Sequence, residues 1–146
     1  MKKLTSILLS AIIMLTAVVG FDLTAYAGSY DTTAKAKSYT LGTTTTGYFS
    51  SNDMIDFLKV DVPQSGRIDF TAEGTKGYDI YIYPSNATED KVDYNYIDYN
   101  YNLGKAYSEC YTYLVAGTYY FKVSGNWSNC SYTISSSFTP ANESFP

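Results

Sequence analysis

No histidine occurs in the 146 residues. That absence excludes Ser-His-Asp and Cys-His catalysis and every histidine-ligated zinc. Cysteine occurs only at Cys110 and Cys130, too few for the thiolate tetrad of a structural zinc site. Charge is sparse as well. Asp, Glu, Lys and Arg make up 16 % of the chain, against ~25 % in an average globular protein. Acidic groups outnumber basic ones by 14 to 10, giving a net charge of −4. Nucleic-acid binding calls for clustered Lys and Arg and is excluded on those terms. Helix signals are scarce: no long segment carries apolar residues at i, i+3, i+4 and i+7 behind a cap. What the chain has instead is tyrosine, 17 of them, beside 7 Phe and 1 Trp.

The first residues have the composition of an export signal. Lys2 and Lys3 precede a stretch from Leu4 to Phe21 that is almost wholly apolar or small, and Ala25-Tyr26-Ala27 supplies a cleavage pattern. Thr5, Ser6, Ser10 and Thr16 interrupt the run, which argues against a retained membrane anchor. No cysteine follows it, so a lipoprotein signal is absent. Residues 1–27 are therefore expected to be a signal peptide, and the remainder to be secreted with no membrane attachment after cleavage. Removal takes away Lys2, Lys3 and Asp22, so 8 basic and 13 acidic groups remain and the net charge becomes −5. What is left is one domain, large enough to bury a core without metals or many disulfides.

Period-two alternation runs through that domain. Leu58, Val60 and Val62 share one face, with Phe57, Lys59 and Asp61 on the other. Gln64-Ser65-Gly66 turns the chain. Ile68, Phe70 and Ala72 then alternate with Arg67, Asp69 and Thr71, and a second turn follows from Gly74 to Gly77. Ile80 and Ile82 alternate with Asp79, Tyr81 and Tyr83 until Pro84, which has no donor for the ladder. Ala106 to Val115 reads as a strand, and Ala116-Gly117 as a tight break. Tyr119, Phe121 and Val123 oppose Tyr120 and Lys122 in the next strand, and Tyr132 and Ile134 lie inward in the last. Weaker strands are expected over Lys37 to Leu41 and Thr44 to Phe49, while Asn86 to Lys105 is irregular. The pattern predicts an all-β protein, an antiparallel β-sandwich or jelly roll of seven to eight strands.

The stretch from Asn52 to Phe57 leading into Leu58-Lys59-Val60-Asp61-Val62 resembles the core of bacterial pre-peptidase C-terminal domains. Gly77-Tyr78-Asp79-Ile80-Tyr81-Ile82-Tyr83 is similar to a central strand of that family. Ala116-Gly117-Thr118-Tyr119-Tyr120 matches its most specific signature, and Ser131-Tyr132-Thr133-Ile134 its closing strand. The resemblance implies a β-sandwich over residues 37–138, behind a flexible lead (28–36) and before a C-terminal tail (139–146). It further implies an accessory module that accompanies secreted peptidases or other exoenzymes and brings no catalytic residue. Two departures stand out. The segment from Asn86 to Lys105 is longer than the family's connection, and the family's acidic lead-in is missing ahead of Ala36.

Four features carry candidate chemistry. Cys110 and Cys130 both fall on inward parity, and export favours a single disulfide between two late strands, the alternative being two buried thiols. Asp53 and Asp56 offer hard oxygens for calcium, which some relatives of the resembling family bind in this neighbourhood. The alternative is that Asp53 caps a turn and Asp56 is a solvated edge residue. Tyr94, Tyr96, Tyr99 and Tyr101 interleave with Asp and Asn, and Tyr81 and Tyr83 on outward parity extend the same surface. Such a surface suits a carbohydrate or a protein partner, or it is an extra hairpin whose rings cover apolar area. Trp127, in the turn before the last strand, is expected to fold over the sandwich end, the alternative being an exposed ligand-stacking residue.

The functional expectation is a secreted, non-catalytic module that binds an extracellular polysaccharide, a matrix protein or another partner. A carbohydrate-binding module is one alternative. A structural or chaperoning module for a secreted enzyme is another.

Overall fold

The computed structural model describes residues 30–85 and 90–142. The expected signal peptide and the last four residues of the expected tail lie outside them. Among the described residues one 3₁₀ turn, Thr33–Lys35, precedes ten strands. They are β1 (Lys37–Ser38), β2 (Thr44–Phe49), β3 (Ile55–Val62), β4 (Gly66–Gly74) and β5 (Tyr78–Pro84). After these come β6 (Asp93–Ile97), β7 (Tyr99–Asn100), β8 (Lys105–Leu114), β9 (Gly117–Gly125) and β10 (Cys130–Pro140). A first sheet has the order β1-β3-β9-β5-β6 and a second the order β2-β10-β4-β8-β7. All the pairings are antiparallel except β1 with β3. The all-β sandwich anticipated from alternation is the fold. Among the described residues no helix is long and apolar enough to cross a membrane.

Alternation decides which side chains enter the core. Leu58, Val60 and Val62 are buried while Lys59 and Asp61 stay exposed; Ile68, Phe70 and Ala72, and Tyr119, Phe121 and Val123, follow the same rule. Phe121 of the first sheet meets Phe70 of the second edge to face at 5.4 Å, across the middle of the sandwich. Each such burial stabilises the fold by about 1.5–3 kcal/mol. At one end Phe49, Tyr78 and Tyr132 form an aromatic cluster with centroids 5.1–6.3 Å apart. Two glycines make room for it. A Cβ on Gly47 would enter the Tyr132 ring, and one on Gly125 would come within 2.5 Å of Phe49.

Two features of the architecture depart from the alternation pattern. The segment read as irregular forms β6 and β7, which raises the strand count to ten. β6 closes the edge of the first sheet and β7 that of the second, so the chain changes sheets at Asp98. Fully buried Ile97 pins the crossing. The anticipated first strand shrinks to two residues and runs parallel to β3.

The disulfide is the clear correction: Cys110 and Cys130 are free thiols. Cys110 lies opposite Phe70 and Phe70 opposite Ser136, six residues along β10 from Cys130. Two strand spacings and that run separate the two Cα atoms by about 20 Å, where a disulfide allows ~7 Å. Inward parity holds for both cysteines, but Cys110 lies beside Phe70 at the middle of the sandwich and Cys130 at the start of β10. Burial pushes the Cys110 thiol up to about 11, so it is not a reactive thiolate. Cys130 Sγ donates to the Ser128 carbonyl at 3.2 Å.

Candidate functional site

On the outer face of the first sheet the register sets aromatic and cationic side chains in cross-strand rows. Tyr94 of β6 lies opposite Tyr81 of β5, which lies opposite Lys122 of β9. In the next row Tyr83 lies opposite Tyr120, and Tyr120 opposite Lys59. The Tyr81 and Tyr94 rings are 4.9 Å apart and Tyr81 and Tyr83 are stacked at 6.4 Å. Lys91 Nζ sits over both Tyr81 and Tyr94, at 5.1 and 4.8 Å, and Lys122 Nζ lies 5.6 Å from the Tyr81 centroid. Such contacts hold the rings in place at modest gain, about 0.5–1 kcal/mol each where exposed.

Asp79 anchors the patch from beneath. Tyr94 Oη donates to its Oδ1 at 2.7 Å and Asn126 Nδ2 to its Oδ2 at 3.2 Å, so both carboxylate oxygens are engaged. The bond to Asp79, and then loss of solvent, push the Tyr94 hydroxyl up to about 12. Tyr94 is therefore a neutral donor across the physiological range. Burial likewise raises Tyr81. The patch offers faces of neutral phenols flanked by ammonium groups.

A second aromatic group lies where the chain changes sheets. Tyr96, Tyr99, Tyr101 and Trp127 surround a cleft of about 450 Å³, with Lys76 and Asp98 on its rim. Four separate segments build it: the β4–β5 turn, β6, the crossing with the turn after β7, and the β9–β10 turn. Tyr99 and Tyr101 meet edge to face at 5.1 Å, and Lys76 Nζ lies 5.3 Å from the Tyr99 centroid. Tyr101 is 89 % exposed and Trp127 61 %.

The six tyrosines singled out in the sequence thus divide. Tyr81, Tyr83 and Tyr94 form the sheet patch; Tyr96, Tyr99 and Tyr101 line the cleft. Tyr96 bridges the two, since it shares outward parity with Tyr94. Trp127 stands open, as the alternative reading of it had it, and does not fold over the sandwich end. Sequence reasoning missed Lys76, Lys91 and Lys122. Outward parity with Tyr120 was a signal for Lys122. Nothing local pointed to Lys76, and nothing local placed Trp127 beside the tyrosines, since both reach the cleft only through turns distant in sequence.

Asp56 departs from the solvated alternative, at 3 % exposure, while Asp53 is buried in a turn closed by two backbone bonds with Ser50. Asp56 follows the inward parity of Leu58 and Val60. Tyr132 Oη donates to its Oδ2 at 2.8 Å, while Oδ1 is buried with no partner. Burial raises the Asp56 pKa, the Tyr132 bond opposes that shift, and the neighbouring Asp53 charge adds to it. Calcium takes about 6–8 oxygen ligands. Among the described residues no three acidic, cysteine or histidine side chains gather as a metal site. The Asp56–Tyr132 pair is a buried core contact.

No family model and no curated protein matches the chain. Among solved structures it is similar to the pre-peptidase C-terminal domain of collagenase from Bacillus anthracis. The identity is 20 % and the TM-score 0.56, over 69 % of this chain and 93 % of that one. The sandwich is a pre-peptidase C-terminal-like fold, as the strand motifs led one to expect.

Proposed function

We propose that this chain is a secreted, non-catalytic accessory module that holds an extracellular polymer, a polysaccharide or a matrix protein, on the outer face of its first sheet. The carrying observation is the patch of Tyr81, Tyr83 and Tyr94, with rings spaced 4.9–6.4 Å and lysines placed over two of them. Tyrosine brings large rigid contact area with few rotatable bonds, so little conformational entropy is lost on binding. Aromatic anchors of this kind dominate the energetics of interfaces. The rings are already held by their neighbours, which lowers the ordering cost further.

Secretion is supported by the composition of the first 27 residues. An accessory role is supported by analogy of fold with a domain of a collagenase. The non-catalytic reading draws on the missing histidine and on carboxylates already committed to neighbours. Asp79 is held by Tyr94 and Asn126, Asp69 by Arg67 and Glu73 by Lys105.

The test is retention of the purified chain on insoluble chitin, cellulose and fibrillar collagen. Retention on at least one, lost in the double variant Tyr81→Ala/Tyr83→Ala, is the expected result. Equal retention of the double variant would remove the sheet face from this account. Passage through all three supports would remove the polymer.

A further inference from the structure

We infer that the cleft at the crossing edge is a separate site for a neutral sugar ring, distinct from the tyrosine face and independent of what that face holds. Its volume of about 450 Å³ lies within the ~300–1,000 Å³ of small-molecule sites. Its walls are four aromatic side chains and its rim carries one ammonium and one carboxylate.

Polar groups without a partner among the described residues gather in this cleft. Tyr39, Tyr78, Tyr94, Tyr119 and Tyr132 commit their hydroxyls to protein acceptors; Tyr81 and Tyr83 of the sheet face do not, but they have no indole N–H and no uncommitted carboxylate beside them. Among the described residues, the hydroxyls of Tyr96, Tyr99 and Tyr101 and the indole N–H of Trp127 have no protein partner. Asp98 uses one oxygen to accept from the Tyr99 backbone N–H at 2.7 Å, which fixes its carboxylate on the rim; the other oxygen is uncommitted. Among the described residues Lys76 forms no ion pair, and it rests over the Tyr99 ring. The cleft therefore presents apolar ring faces, strong donors, one strong acceptor and hydroxyls that serve as either.

A pyranose matches each of these. Its C–H faces cover aromatic rings, and its equatorial hydroxyls both donate and accept around the rim. A proline-rich peptide would cover the rings equally well but offers almost only carbonyl acceptors. It would desolvate the Asp98 carboxylate without giving it a donor, which is costly. The net charge of −5 after removal of residues 1–27 (8 basic and 13 acidic groups) disfavours an anionic glycan, leaving a neutral one.

Trp127 is the single tryptophan of the chain, so its emission reports on this cleft alone. The purified chain, excited at the red edge where tyrosine does not absorb, is titrated with cellohexaose, chitohexaose, maltohexaose and mannohexaose. Calorimetry on the same mixtures reads binding without the fluorophore. We expect a saturable change in emission with at least one sugar. Tyr101→Ala should weaken that affinity about tenfold or more; at 89 % exposure this side chain carries little of the fold. Tyr111→Ala, an exposed ring on β8 of the second sheet, should leave that affinity unchanged, and because Trp127 emission reads the cleft alone, failure of this site is separate from failure of the sheet face. Silence with all four sugars by both methods overturns the inference. So does equal affinity in Tyr101→Ala, or a response confined to an oligoproline peptide.

Discussion

The molecule holds two aromatic groups of similar geometry and opposite circumstance. Inside, Phe49, Tyr78 and Tyr132 pack at 5.1–6.3 Å, nearly all of their surface removed from water. Outside, Tyr81, Tyr83 and Tyr94 lie at 4.9–6.4 Å, with lysines instead of a second sheet above them. Each group even contains a tyrosine hydroxyl bonded to an aspartate, Tyr132 to Asp56 and Tyr94 to Asp79. Both aspartates are buried, but Asp79 has both oxygens satisfied, whereas Asp56 has an oxygen with no partner. Ring spacing alone does not say what an aromatic cluster is for. Burial and the fate of the polar atoms do. The inner group is read as fold stability and the outer group as contact surface held ready.

The largest effect should come from emptying the inner cluster. Phe49→Ala removes a ring that is 2 % exposed, and the cost expected for such a cavity is about 3–5 kcal/mol. Denaturant unfolding measures it, and a loss below about 1 kcal/mol would mean the cluster is not packed as described. Gly47→Ala should also destabilise, by about 1–3 kcal/mol, because its methyl group would enter the Tyr132 ring.

Next comes the buried pair. The folded-state pKa of Asp56 is raised by burial, so the unfolded chain releases this proton more readily than the folded one. Its stabilising share is complete below the ordinary carboxylate range and is lost as pH rises through the raised value. Asp56→Asn keeps an acceptor for Tyr132 and removes the charge. Its stability should therefore be flatter across that acidic range and higher than the parent at neutral pH. Parallel pH profiles for parent and variant would show that Asp56 is not the titrating group.

Much of this fold was legible in the sequence because alternation reports directly on which face a side chain takes. Leu58, Ile68, Phe121 and Ile134 all lie where parity puts them. Asp56 shares that inward parity, and reading it as a possible solvated residue set composition above position. Parity does not report distance along a strand, which is why two inward cysteines looked like a bridge. Nor does it show where a chain leaves one sheet for another. The tyrosine segment was visible as an oddity, but its division at Ile97 and Asp98 depends on burial of Ile97 against the opposite sheet. Trp127 and Lys76 meet the cleft only because two turns fall at the same end of the sandwich, a consequence of long-range register.

The smallest expected effect on stability decides the central claim. Tyr81→Ala/Tyr83→Ala touches only the outer group, so its cost should be about 1 kcal/mol or less and its melting temperature should fall by no more than about 5 °C. Melting temperature and retention on the polymer that captures the parent are measured on the same preparation. The account predicts a chain that melts nearly as the parent does and no longer stays on the polymer. A variant that stays bound, or one whose lost retention merely follows lost folding, would contradict it.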